Sequence, residues 1–487
     1  MGIYHYKPEY ETKTFGAKID AKRANTTKLT THCIGNRPLR DILITLIVFG
    51  SLPFIFRRPY VGIIMWCWIS YMNPHRGAWG FAYNMPFAAI IAGVTMLAML
   101  TQAKQVQKLD KNSITILWFL FLLWTGVTTI FAFYPDFAMT LFKSYFKIML
   151  MTFIALMLIN DQKKLNHFIW IIVFSVGYFG VKGGVFTIAT GGSFRVWGPP
   201  DSFIEGNNEL ALALLMLIPL TNYLRVVSVK KWVKLGLLGA IFLMLAAALG
   251  SQSRGALLAA GAMGFYLWLK SDKKFLSGIA VAIAGAVFLM FMPKTWWDRM
   301  STIQTYDEDA SAMGRINAWW VEFNVANDKF FGAGFNHASP EVFLQYAPNP
   351  DFVVVAHSIY FQVLGDHGWV GFGLFMAFCI LSLRLSKKIT KKTAGLDNLA
   401  WANILSRMIY VSLIAYAIGG AFLSLPYFDL PYHIMAILII TNTVVNRELA
   451  KPISTLPETD ETASGKPAQI EAEKVGRRLT PNHLHSG

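Results

Sequence analysis

Cysteine is nearly absent from this chain, and the little there is lies scattered. Cys33, Cys67 and Cys379 are the only three, too few and too far apart for a disulfide framework or a thiolate metal site. Two of them sit inside apolar runs, where a free thiol behaves as a small hydrophobe. Charge is scarce as well: 15% of residues are charged against 54% hydrophobic, which leaves little material for a solvated surface. No Walker-type loop, dinucleotide fingerprint, zinc spacing or serine nucleophile elbow occurs. Residues 1–38 are polar and lack the apolar core of a cleavable signal peptide.

What is present in quantity is hydrophobic sequence in long runs, at approximately 41–56, 59–72, 86–102, 113–133, 145–159, 167–188, 208–224, 232–250, 255–269, 275–293, 357–383, 399–424 and 432–446. Crossing about 30 Å of hydrocarbon takes roughly 20 apolar residues in a helix, so these runs read as membrane spans rather than a soluble core. The net charge of +16 does not point to nucleic acid, because the basic residues gather in short loops between the runs, as the positive-inside rule describes. Lys104, Lys108 and Lys111, then Lys230, Lys231 and Lys234, then Lys270, Lys273 and Lys274, and finally Arg384, Lys387, Lys388, Lys391 and Lys392 mark cytoplasmic loops. Counting from them places segment 189–207, the corner 250–254 and the loop 294–356 together on the outer side.

Taking all the runs as spans would put the basic residues 1–38 outside, against the same rule. One of the two short runs 41–56 and 59–72, separated by Arg57-Arg58, is therefore expected in the interface. The expected fold is an all-α polytopic integral membrane protein of about twelve transmembrane helices. Residues 1–38 form a polar leader, 39–293 and 357–447 the transmembrane helices, 294–356 a helical cap on the outer face, and 448–487 a disordered cytoplasmic tail. Trp296, Trp297, Trp319 and Trp320 argue that the long loop folds, with an amphipathic helix over Ile316 to Phe323; loops this long are otherwise functional or disordered.

Three places on the outer side carry residue types suited to chemistry. Arg195 lies in the irregular segment Gly191-Gly192-Ser193-Phe194-Arg195-Val196-Trp197-Gly198-Pro199-Pro200, followed by Glu205-Gly206-Asn207-Asn208-Glu209, where Asn207 or Asn208 is positioned to cap the next helix. It is either a substrate contact or an interfacial arginine snorkelling to headgroups. Arg254, in Ser251-Gln252-Ser253-Arg254-Gly255, interrupts two apolar runs with almost no loop. A charge held so close to the membrane usually marks a site, and a guanidinium grips phosphate through two parallel hydrogen bonds.

Arg315, in Gly314-Arg315-Ile316-Asn317, either reaches substrate or pairs with Asp307, Glu308 or Asp309. That acidic run has no clustered histidine, and it reads as a solvated turn rather than a metal site. His357 sits where the long loop re-enters the membrane, at Ala356-His357-Ser358. With an unperturbed pKa near 6.5, an imidazole is mostly neutral at pH 7 and can take a hydroxyl proton; the other reading is a headgroup or carbonyl contact. His337, His367 and His433 are outer-side alternatives, and His367 is next to Asp366. The glycines of Lys182-Gly183-Gly184 form no phosphate loop, and in membrane helices such residues permit close packing.

These pieces, together with Tyr71-Met72-Asn73-Pro74-His75-Arg76, resemble the bacterial O-antigen ligase and polymerase superfamily over roughly residues 39 to 447. The resemblance is greatest to the branch of O-glycosylation ligases found with exosortase systems. It implies a metal-independent, cofactor-free, inverting glycosyltransferase of the inner membrane, with its active site and helical cap facing the periplasm. The donor would be a glycan on undecaprenyl pyrophosphate, and the partners that donor, an acceptor and membrane lipids, not nucleic acid. Family arginines that hold the pyrophosphate map onto Arg195 and Arg254, and the family's essential histidine maps onto His357. Arg315 and His337 are carried as further substrate contacts.

The acceptor is expected to be lipid A-core oligosaccharide. A protein hydroxyl (O-oligosaccharyltransferase) or a growing polysaccharide (polymerase) would use the same chemistry. A polyprenyl-glycan flippase is the alternative of a different class. It would need polar residues deep in several spans, whereas here Lys182 and Arg407 are the exceptions to largely apolar spans.

Overall fold

The computed structural model describes residues 39–270, 274–294, 296–297 and 310–451. The leader 1–38, the acidic run 306–309 and the tail from 452 onward lie outside them. Every apolar run becomes a helix. In chain order these are α1 (Leu39–Arg57), α2 (Tyr60–Met72), α3 (Phe87–Thr101), α4 (Ser113–Ile130), α5 (Pro135–Leu158), α6 (Gln162–Ala189), α7 (Asn207–Val227), α8 (Lys231–Gly250), α9 (Arg254–Leu269) and α10 (Lys274–Phe291). Between the last two groups of spans lie α11 (Ala310–Asp328) and α12 (Pro340–Tyr346), and then follow α13 (Ile359–Lys392), α14 (Ala400–Gly420) and α15 (Asp429–Leu449). No strand occurs among the described residues.

Eight of these helices are long and apolar enough to cross a membrane, and α2, α3 and α9 are apolar but shorter. At 1.5 Å per residue, the 13 residues of α2 cover about 20 Å, less than the roughly 30 Å of a hydrocarbon core.

Burial divides the helices by role. α7 is apolar on all sides and lies at the centre, with Leu210 through Leu217 essentially inaccessible. It is tied to α14 by the Ser412 hydroxyl donating to the Met216 carbonyl at 2.7 Å. α1 keeps Leu39, Leu43, Leu46 and Phe54 exposed, as expected of a helix facing lipid. α6 packs closely on its neighbours α7 and α8. A Cβ added at Gly184 would stand 2.1 Å from the Leu243 carbonyl oxygen, and one at Gly180 would stand 2.6 Å from both Leu214 and Met244. Lys182-Gly183-Gly184 is therefore a packing surface, as small residues in membrane helices generally are.

Three helix limits differ from the sequence expectation. α5 starts at Pro135, ten residues before the expected 145: Lys143 interrupts the apolar run, but its side chain is exposed and the helix runs through it. α13 continues to Lys392 because its basic last turns complement the negative C-terminal end of the helix dipole. The run 399–424 is not one helix: α14 stops at Gly420, where Ile359 packs so closely that an added Cβ would meet it at 2.6 Å, and residues 421–428 form a turn.

The connections gather at two ends of the bundle. At one end are residues 73–86, 131–134, 190–206, 251–253, 310–358 and 421–428; at the other are the basic connections that hold Arg57, Lys104, Lys230, Lys270 and Lys392. All five non-glycine residues with positive φ among those described, Asn73, Asp201, Gln252, Asn336 and His357, lie at the first end. Left-handed backbone costs of order 1–3 kcal/mol at such residues and tends to mark functional segments.

Candidate active site

The segment 190–206 is folded back on itself by the Gly198 amide donating to the Glu205 carbonyl at 2.8 Å. Val196 is buried against Gly183 of α6, which leaves Arg195 on the exposed side. The stretch after α2 closes over the same loop. Asn73 donates to the Pro200 carbonyl at 3.1 Å, Tyr83 donates to Asp201 at 3.0 Å, and Arg76 pairs with Asp201 at 3.8 Å while lying over the Tyr83 ring. Burial and the neighbouring Arg76 charge lower the pKa of His75 to about 4, so this imidazole is neutral.

Two hydrogen bonds fasten the Arg254 corner to that loop. Gln252 Nε2 donates to the Gly192 carbonyl at 3.1 Å, and Asn207 Nδ2 donates to the Ser251 carbonyl at 2.8 Å. Asn207 therefore does not cap α7, contrary to expectation. Gly206 occupies the cap position without a side-chain bond, and the Asn207 amide is spent on the corner instead. The Ser253 hydroxyl accepts from the Ala256 amide and starts α9, so Arg254 is the first residue of that helix.

The corner and His357 share the turn that follows α14. A Cβ at Gly255 would stand 3.2 Å from Phe422, and two residues further along the Ser424 hydroxyl accepts the His357 amide at 3.0 Å. His357 adopts φ 45°, a left-handed conformation uncommon outside glycine, and its side chain is only partly buried. α11 helps to hold it. Trp319 Nε1 donates to the Ala356 carbonyl at 2.7 Å, and the Trp319 ring stacks on Phe361 with centroids 5.0 Å apart. Arg315 lies one helical turn before Trp319, on the same face of α11, and Gly314 beside it lies against Phe352. Asn317 holds the segment leading to His357 at Asn349, donating from its amide nitrogen to the Asn349 carbonyl and accepting the Asn349 amide on its oxygen.

His337 stands apart from this group. It is buried, with Nε2 at 2.8 Å from Glu322 of α11 and Nδ1 at 3.0 Å from Asp366 of α13, so both ring nitrogens meet protein partners. Tyr427 donates to the second oxygen of Asp366 at 2.7 Å. Burial opposes a charge on His337, but the carboxylates on either side outweigh it and raise its pKa well above the ordinary imidazole value. Burial also raises the Glu322 pKa, with His337 pulling the other way.

His367 does not pair with Asp366 through its side chain. Its Nδ1 lies 2.7 Å from the Thr128 hydroxyl, and its ring meets Phe335 edge-on. His433 is buried against Tyr71 at 2.6 Å. Among the described residues no group of three or more His, Cys, Asp or Glu side chains is arranged to hold a metal ion.

Ser424, Gln252 and Trp319 were not singled out by sequence as parts of the site. Trp319 was visible as an aromatic on the expected cap helix, whereas a hydroxyl that accepts one backbone amide leaves no sequence pattern. Against known families, residues 239–376 match the O-antigen ligase family, and residues 39–229 match a family of unknown function (DUF5935). Arg254, Arg315, His337 and His357 fall within the first match and Arg195 within the second. No curated protein matches the chain.

Proposed function

We propose that this protein, whose residues 239–376 match the O-antigen ligase family, is a ligase- or polymerase-like glycosyltransferase of the membrane that moves a glycan from undecaprenyl pyrophosphate to an acceptor hydroxyl, inverting the anomeric centre. The observation that carries this reading is the shared turn: Phe422 abuts the Arg254 corner while Ser424 holds the His357 backbone. Hydrogen bonds from Gln252 and Asn207 tie the Arg195 segment to the same corner.

In the proposed reaction His357 accepts the proton of the acceptor hydroxyl as its oxygen bonds to the anomeric carbon. The bond from that carbon to the diphosphate oxygen breaks on the opposite face, and the leaving group departs with the electron pair. Arg195 and Arg254 meet the charge that develops there, a term that commonly dominates such barriers. Arg315, on the His357 side of α11, is assigned to substrate. His337 is assigned to holding the cap, since both its ring nitrogens meet protein carboxylates.

The proposed setting is the bacterial inner membrane, with about twelve spans and the site facing the periplasm. The basic connections at the other end of the bundle support that orientation. Lipid A-core oligosaccharide is the proposed acceptor; a protein hydroxyl or a growing chain would need no change in the catalytic groups.

The test is transfer by purified protein from undecaprenyl-pyrophosphate-linked glycan to lipid A-core in EDTA, with His357→Ala and Arg254→Ala alongside. Loss of a general base commonly costs about 10²–10⁴-fold, and that loss without a change in thermal unfolding is expected of His357→Ala. Full activity in that variant would end the general-base role, and activity abolished by EDTA would end the metal-independent reading.

A further inference from the structure

At the end of the bundle remote from Arg254 and His357, α9, α13 and α14 line an open groove of about 650 Å³. Lys270, Lys387, Lys391 and Arg407 line it together with Tyr266 and Tyr410, and none of the lining residues is acidic. Lys387 lies 5.1 Å from the centre of the Tyr410 ring, and the Tyr266 and Tyr410 rings are 5.1 Å apart. The four cations form no ion pair with any described carboxylate. Arg407 is seven residues into α14, about 10 Å along the helix at 1.5 Å per residue.

We propose that this groove binds the headgroup of a membrane lipid carrying two phosphate groups. Four cations in one groove exceed what a single phosphate neutralises. Arginine and lysine in pockets between membrane helices at the basic side suit phosphate headgroups. The same chemistry is available in soluble diphosphate. The lipid is favoured because the neighbouring α9 residues Phe265 and Leu269 are exposed and apolar, a surface suited to acyl chains beside the headgroup. The proposal does not depend on the glycosyl-transfer reading, since the groove and the Arg254–His357 site lie at opposite ends of the same three helices.

The experiment is native mass spectrometry of the full chain in mild detergent, offered cardiolipin, phosphatidylglycerol or phosphatidylcholine at equal concentration. Cardiolipin is expected to be retained most strongly, and Lys391→Gln with Arg407→Gln is expected to weaken that retention about thirtyfold. Millimolar inorganic pyrophosphate is expected not to displace it. Displacement would overturn the lipid assignment in favour of a soluble diphosphate, and retention of phosphatidylcholine equal to that of cardiolipin would overturn the site. Acetylation of wild-type protein provides a readout that needs no variant. Cardiolipin should slow labelling of Lys387 and Lys391 while leaving Lys230 unchanged, and equal labelling with and without it would also overturn the proposal.

Discussion

Replacing His337 by alanine is expected to release the cap locally while the membrane helices stay folded. The imidazole joins α11 to α13 through Glu322 and Asp366, and the three side chains are 4%, 6% and 2% exposed. Removing the cation leaves two buried carboxylates facing a void, and breaking a buried pair in this way costs about 3–5 kcal/mol. Protonation of Glu322, whose pKa burial already raises, relieves part of that cost. At 1.4 kcal/mol per factor of ten, a remaining loss of about 3 kcal/mol opens the cap roughly a hundredfold more often.

Hydrogen exchange read by mass spectrometry should show this as faster exchange over α11 and the 333–337 segment. Peptides from Leu210–Leu217 of α7 should be unaffected, which separates local opening from global unfolding. Adding Glu322→Gln and Asp366→Asn to the alanine variant should restore most of the protection, because neutral amides do not leave an uncompensated buried charge. Exchange over α11 within twofold of wild type in the single variant would refute the reasoning.

The same cluster sets a pH dependence. Because the folded pKa of His337 is raised, its stabilisation is complete below the unfolded value near 6.5 and is lost as pH rises through the folded value. Protection of α11, corrected for intrinsic exchange, should therefore fall on the alkaline side in wild type, whereas in His337→Ala it should already fall at lower pH, as Glu322 loses its proton with no cation beside it. Gly184→Ala sets a methyl against the Leu243 carbonyl where there is no room; overpacking of this kind typically costs about 1–3 kcal/mol, seen as a lower unfolding temperature in detergent. Trp319→Phe keeps a ring to stack on Phe361 but loses the bond to the Ala356 carbonyl. About 1 kcal/mol of positioning is removed, so transfer should slow severalfold without loss of stability, and unchanged kcat would show that this bond does not help to position His357.

The helical runs were legible because hydrophobicity over that length has one physical use. The gathering of 190–206, 251–253 and the long loop at one end followed from the placement of basic connections. What sequence concealed was polar and local. Lys143 made α5 look ten residues shorter than it is, since a one-dimensional run cannot show that this side chain is exposed. The end of α14 was hidden because 421–423 stays apolar after the helix has stopped, and that turn supplies the Ser424 hydroxyl to His357. His337 was grouped with the candidate substrate contacts because its carboxylate partners lie 15 residues before it and 29 after it, on two different helices.

α13 is broken at Gly368, where φ 64° and ψ −173° take the backbone out of the helical region. The break strands the carbonyls just before it, and other parts of the chain collect them: the Ala333 amide on Gly365, the Gly334 amide on Asp366, and the Trp124 indole on His367. The first two donors belong to the cap. Leaving a buried backbone group unsatisfied costs about 1–3 kcal/mol, so a chain with the 333–334 segment cut out would carry two carbonyls at the break without their present donors. The cap is thus not a removable module. Segments can be exchanged between proteins of this fold only if the broken helix travels with the loop that completes it.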